Sequence, residues 1–237
     1  MLGLIAGTGA ALVLAGYHSM SPKSQFYGHT FTGRPGGERE IALTFDDGPN
    51  DPYTFQLLEI MQRRGVKATF FMIGKYVDQR PDIARAVSQA GHQVGNHTYS
   101  HPNLIFRSKW QLRDEIARCE RALQDAVGER HTKLMRPPFG GRRPVTLRTV
   151  RAMGLTPVMW NVTGFDWSAK SAEAIEGKVT RQVRGGDVVL LHDGGHLRFG
   201  TDRSLTVKAT ERLIEKYQGE GYEFRTVGEM MGDERRR

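Results

Sequence analysis

The sequence predicts an α/β fold of parallel strands and intervening helices, and three observations carry that prediction. Short apolar runs recur along the chain, at Ile41–Phe45, Lys67–Met72, His92–Asn96, Thr132–Arg136, Thr156–Asn161, Asp187–Leu191 and Tyr222–Thr226. Between them, apolar residues fall at helical spacing. Capping residues and glycines punctuate the helical stretches. Strands alternating with helices build βαβ units and therefore a parallel sheet. A doubly wound sheet and a barrel both fit. In either, chemistry collects at the carboxyl ends of the strands, so polar residues of unusual type should follow the apolar runs.

They do. Ile41-Ala42-Leu43 leads into Thr44-Phe45-Asp46-Asp47-Gly48-Pro49. Adjacent carboxylates repel unless a cation or shared proton intervenes, which makes them poor packing material. Neighbours in an extended chain point to opposite sides, so Asp46 and Asp47 can take different tasks, one holding a metal and the other handling a proton. A plain turn is the competing reading, since Asp, Gly and Pro all favour turns.

The helices follow in order. Asp51 is expected to cap the first, with Pro52 in its opening turn, Tyr53, Leu57 and Met61 on one face, and Gly65 at its end. Ser108 and Gln111 form a capping-box pattern ahead of Leu112, Ile116, Cys119 and Leu123, and Gly128 stops that helix. Ser171 precedes Ile175, Val179 and Val183, closed by Gly185-Gly186; Ser204 precedes Val207, Ile214 and Tyr217, closed by Gly219.

The chain has 237 residues, one cysteine and a formal net charge of +8. That length suits one domain of the larger kind. A lone Cys119 within a helical stripe excludes an internal disulfide and a thiolate zinc cluster, and it reads as a buried structural thiol. The basic balance suits an anionic neighbourhood such as cell-wall polymer or lipid headgroups. No nucleic-acid-binding motif is present. Residues 1–17 carry no charge and read as an export signal or marginal membrane anchor. Residues 18–40, rich in Gly, Ser and Pro, read as a linker, 41–231 as the catalytic domain and 232–237 as a basic tail.

The third run leads into Gly95-Asn96-His97-Thr98-Tyr99-Ser100-His101. Histidines four apart on one helical turn share a face and can grip one ion. With Asp47 as a third ligand from another strand end, they form two imidazoles and one carboxylate, with the fourth position open. That set suits hydrolytic zinc and also suits iron for oxygen chemistry. Arg136-Pro137-Pro138-Phe139-Gly140 follows the fourth run, with an arginine able to pair with a carboxylate and a stiffened loop. Asp166-Trp167 follows the fifth. The sixth ends in Leu190-Leu191-His192 before Asp193-Gly194-Gly195.

Together these segments resemble the polysaccharide deacetylases of carbohydrate esterase family four, the chitooligosaccharide deacetylase homology domain. The likeness runs from about Ile41 to Thr226. Its five signatures stand in order as Thr44–Gly48, His97–His101, Arg136–Phe139, Asp166–Trp167 and Leu190–His192. The resemblance implies a distorted (β/α)7 barrel with a divalent metal, usually zinc, with cobalt as another candidate. It implies that Asp47, His97 and His101 bind the ion, that Asp46 is the general base and that His192 is the general acid. Arg136 would orient Asp46, and Asp166 would tune His192. Pro138, Phe139, Trp167 and Leu190 would shape the substrate site, with the Phe139 N–H facing the oxyanion. Thr163 stands where the family often has an acidic residue, which loosens any inference about sugar preference.

The implied activity is removal of N-acetyl groups from a GlcNAc-containing polysaccharide, peptidoglycan or chitin-like, at the cell envelope or outside the cell. O-deacetylation of xylan or another acetylated glycan, and a catalytically silent glycan-binding module, are the alternatives.

Overall fold

The computed structural model of the chain describes residues 13–34 and 36–234. Its strands are β1 (Glu40–Gly48), β2 (Thr69–Met72), β3 (Gln93–Asn96), β4 (Leu134–Met135), β5 (Thr156–Pro157), β6 (Val162–Thr163), β7 (Asp187–His192) and β8 (Glu223–Phe224). They run parallel in the order β5-β4-β3-β2-β1-β7-β6, with β8 beside the start of β1. The helices are α1 (Tyr53–Arg64), α2 (Gly74–Gln79), α3 (Pro81–Gln89), α4 (Lys109–Val127), α5 (Pro144–Ala152), α6 (Ala172–Gln182), α7 (Ser204–Gly219) and α8 (Val227–Glu234).

One arginine shows how far this sheet bends. Arg136, just past β4, reaches Thr44 and Asp46 on β1, each at 2.7 Å. In a flat sheet those strands would lie about 14 Å apart, three spacings of ~4.8 Å, beyond what an arginine spans while also bonding elsewhere. The sheet therefore curls into a distorted (β/α)7 barrel, and Arg136 crosses its interior.

Alternation along each strand sorts the side chains. Ile41, Leu43 and Phe45 face outward with Phe70, Met72, Val189 and Leu191 to meet the helices. Ala42, Phe71 and Val188 face inward and pack with Phe31, Leu134, Val158, and Val227 and Met230 of α8. Val227 N–H and Gly228 N–H bond Thr69 and Gln93 at the amino ends of β2 and β3, so α8 covers the mouth opposite the chemistry. Burying each large apolar side chain contributes about 1.5–3 kcal/mol.

Several elements differ from the sequence expectation. The run Thr156–Asn161 is not one strand: β5 stops at Pro157, and the chain crosses the interior edge before pairing again as β6. Residues 31–34 occupy the gap this leaves. Phe31 N–H bonds Pro157 O, Phe31 O accepts from Met159 N–H, and Arg34 N–H bonds Gly186 O. This part of the stretch expected to be a linker is thus fitted into the wall, with Phe31 2% exposed. Farther upstream, Arg142 donates to the carbonyls of Ser21 and Ser24, each at 2.7 Å.

Asp51 does not cap α1; the cap position is Pro52, without a side-chain bond. Asp51 pairs instead with Arg80 at 2.7 Å. The Ser108–Gln111 capping box is present and reciprocal. Cys119 is buried, and burial pushes its thiol far above the usual range.

Residues 13–20 are helical, and residues 1–12 of the apolar N-terminal segment lie outside the described residues. No helix among the described residues is long and apolar enough to cross a membrane. Helix α8 runs to Glu234, past the expected start of the basic tail; Arg235–Arg237 lie outside the described residues.

Candidate metal centre and catalytic cleft

A β-bulge at the end of β1 sets the site. Asp46 pairs with Phe71 and Gly48 with Met72, so Asp47 is the extra residue, at φ 72°. Aspartate tolerates this left-handed conformation better than most residues. The bulge cancels strict alternation. The expectation that Asp46 and Asp47 point to opposite sides is therefore corrected: both line one cleft. Two glycines make room for this. A Cβ on Gly194 would lie 2.0 Å from Asp47 O, and one on Gly48 would lie 2.2 Å from the Asp193 carboxylate.

The two histidines follow β3, but not on a helical turn. Thr98 and His101 both have positive φ, 64° and 61°. The irregular turn is pinned by Asn96 Oδ1 accepting from Thr98 N–H, and by Glu115 accepting from Tyr99 and Ser100 N–H. It still brings the two rings together, centroids 4.9 Å apart. His97 Nδ1–H donates to Arg136 O at 2.8 Å, which leaves Nε2 with its lone pair.

Asp47 Oδ1 lies 3.5 Å from His97 Nε2 and 3.1 Å from His101 Nε2. It is buried and accepts no hydrogen bond among the described residues. Tetrahedral ligands ~2.1 Å from an ion stand ~3.4 Å from one another. The trio therefore fits a divalent cation, and the orphaned oxygen is where such an ion would bind. Burial alone would raise the Asp47 carboxyl, yet the neighbouring imidazoles of His101, His196 and His97 hold it well below the usual range. Burial pushes His101 down, toward its neutral form. An ionised carboxylate and neutral imidazoles are the states metal ligation requires.

Asp46 is the other half of the pair. The wholly buried Arg136 donates to its Oδ1, while its second terminal nitrogen bonds Met159 O at 3.0 Å and its plane lies over Phe71. A guanidinium so held fixes the carboxylate's orientation.

His192 sits beside Asp46 in the β1–β7 register. Its Nδ1 and backbone N–H both bond Asp166, each at 2.8 Å, and Thr206 adds a third donor to that carboxylate. Burial works against the imidazolium, but the Asp166 charge and hydrogen bond outweigh it and raise His192 to about 9. Asp166 is correspondingly lowered despite its burial.

The cleft encloses about 320 Å³. Leu190 is buried at its base, while Phe139 and Trp167 stand at its sides, 44% and 51% exposed. Pro138 is buried and is not part of the lining; it supports the left-handed turn at Phe139, φ 58°. Arg136 and Asp166 lie behind the lining, bonded to Asp46 and His192 respectively. Sequence reading missed Trp160, His196 and Arg203, which also line the cleft. His196 carried a signal, standing four residues after His192 as His101 does after His97. Arg203 sits in no local pattern. Trp160 was hidden inside a run read as continuous strand.

A carboxylate-bis-imidazole cation site, flanked by an arginine-held carboxylate and a carboxylate-held imidazole, defines a metal-dependent hydrolase. The chain belongs to the polysaccharide deacetylase family, whose model matches residues 33–158. It is 36% identical over 199 residues to a peptidoglycan-N-acetylglucosamine deacetylase of Bacillus cereus, covering 83% of this chain and 90% of that one. It is 36% identical over 200 residues to a chitooligosaccharide deacetylase of a Bradyrhizobium species, covering 82% and 91%. Among solved structures, a peptidoglycan N-acetylglucosamine deacetylase in complex with 4-naphthalen-1-yl-N-oxidanyl-benzamide superposes with a TM-score of 0.77. It shares 34% identity and covers 85% of this chain and 91% of that one.

Proposed function

We propose that this deacetylase removes the N-acetyl group of GlcNAc residues in a polysaccharide, releasing acetate and a free sugar amine, with peptidoglycan the favoured polymer. The observation that carries the reading is the placement of Asp46 and His192 side by side around the Asp47–His97–His101 trio. The names of the relatives support the sugar, and the basic charge of the chain suits an anionic wall polymer.

Zinc is the cation we assign to the trio, from its ligand set and spacing. When bound, it supplies Lewis acidity, polarising the acetyl carbonyl and making water a stronger acid. Asp46, held by Arg136 and not needed as a ligand, accepts the proton of the attacking water. The water oxygen bonds the acetyl carbon, and the Phe139 backbone N–H stabilises the developing oxyanion. Collapse breaks the C–N bond, and His192, kept protonated by Asp166, delivers its proton to the leaving nitrogen. Leu190 and Trp167 enclose the acetyl methyl. From that polymer we infer action at the cell envelope.

The test is acetate release from peptidoglycan, chitin oligomers and acetylxylan, with and without chelator. Chelator-sensitive release from the GlcNAc polymers supports the reading; release from acetylxylan alone replaces it with O-deacetylation. No release from any of the three leaves a glycan-binding module.

A further inference from the structure

Residues 193–203, between β7 and α7, are tied to the cleft with more bonds than a surface loop needs. The Asn50 amide donates to the carbonyls of Asp193 and Thr201, both at 2.9 Å. The Tyr76 hydroxyl donates to Gly195 O at 3.1 Å, and Lys75 Nζ to His196 O at 3.3 Å. What this frame delivers is the imidazole of His196. Its ring stacks on His101, centroids 4.7 Å apart and planes 26° apart, and Phe139 sets its edge against both. His196 Nδ1 lies 3.7 Å from Asp47 Oδ2, while the other oxygen of that carboxylate faces His97 and His101.

We propose that His196 is a positioning residue for the cation site: it holds the second oxygen of Asp47, so that Oδ1 is presented to the ion. The inference rests on the cation reading of Asp47, His97 and His101. The 3.7 Å separation is an ion-pair contact and not a closed hydrogen bond. An imidazole facing the free oxygen of a ligating carboxylate still restrains its swing, and partners behind a ligand commonly set metal affinity by 10–100-fold. The His101 stack adds a second restraint, limiting rotation of the ligand ring next to it.

The test titrates Zn²⁺ and Co²⁺ into the chelator-treated full chain by calorimetry, with thermal unfolding of each variant checking that it folds. His196→Ala and His196→Phe, the second keeping a stacking ring without the donor, should each weaken the ion by at least about tenfold. His196→Asn, whose amide nitrogen takes the place of Nδ1, should recover most of the affinity. Ala and Phe variants that bind within twofold of the unsubstituted chain overturn the proposal, as does full recovery by Phe, which would assign the effect to stacking. An unsubstituted chain that binds neither ion brings down the cation reading itself, a different outcome from binding that ignores residue 196.

Discussion

Arg136 is completely buried, and its guanidinium lies 2.7 Å from Asp46 in the barrel interior. Its Nη1 also reaches Thr44 and its Nη2 a backbone carbonyl, so the charge is paired, while Nε has no partner among the described residues. Removing one partner of a buried pair leaves the other uncompensated, at a cost of about 3–5 kcal/mol. Arg136→Met is therefore expected to lower the free energy of unfolding by that amount and to reduce kcat/KM as Asp46 loses its orientation. Chemical denaturation alongside acetate-release kinetics checks both.

Asp46 faces the cleft without being needed in the cation trio. Asp46→Asn removes the proton acceptor while keeping shape and volume. Turnover should fall by about 10²–10⁴-fold, the range for one general base, while Zn²⁺ content stays at the level of the unsubstituted chain. Elemental analysis of the purified variant reads the second half. A variant that retains full rate would remove Asp46 from the mechanism.

His192, raised to about 9 by Asp166, must be protonated to serve as the acid. Activity should accordingly fall as pH rises through about 9. The sign for stability is the same. A group whose folded value exceeds its ordinary ~6.5 stabilises the fold fully below that pH, and the contribution is lost as pH climbs through about 9. Asp166→Asn removes the charge responsible, so the alkaline limb of the rate profile should move to lower pH by more than one unit. A pH–rate series on both proteins decides it.

Binding of an ion to the folded chain alone raises apparent stability by about 2.7 kcal/mol at a hundred times Kd. Adding Zn²⁺ to chelator-treated protein should raise Tm, and the increase should vanish in His97→Ala and in Asp47→Ala. Differential scanning calorimetry with and without the ion measures it.

Gly194 is fixed by space. A Cβ there would lie 2.0 Å from Asp47 O and 2.9 Å from Gly48 N, both rigid backbone. Gly194→Ala should displace the bulge that carries Asp47, weakening Zn²⁺ at least tenfold while far-UV circular dichroism stays unchanged. Ion titration of this variant provides the check.

The sequence by itself determined the parallel α/β order and the polar runs at the strand ends where the candidate site residues stand. It could do so because strand–helix alternation is a local pattern, and because charged groups after apolar runs have no packing purpose. Tertiary structure decided what depends on distance across the chain. The bulge turns Asp46 and Asp47 into one cleft, since register with β2 is set by pairing and not by alternation. The His97–His101 pair is shaped by bonds to Asn96 and Glu115 rather than by helical periodicity. Residues 31–34 find their place in the wall only because the curled sheet leaves an opening there. Trp160 and Arg203 reach the cleft from loops far from the cation trio in sequence, and no spacing along the chain encodes that meeting.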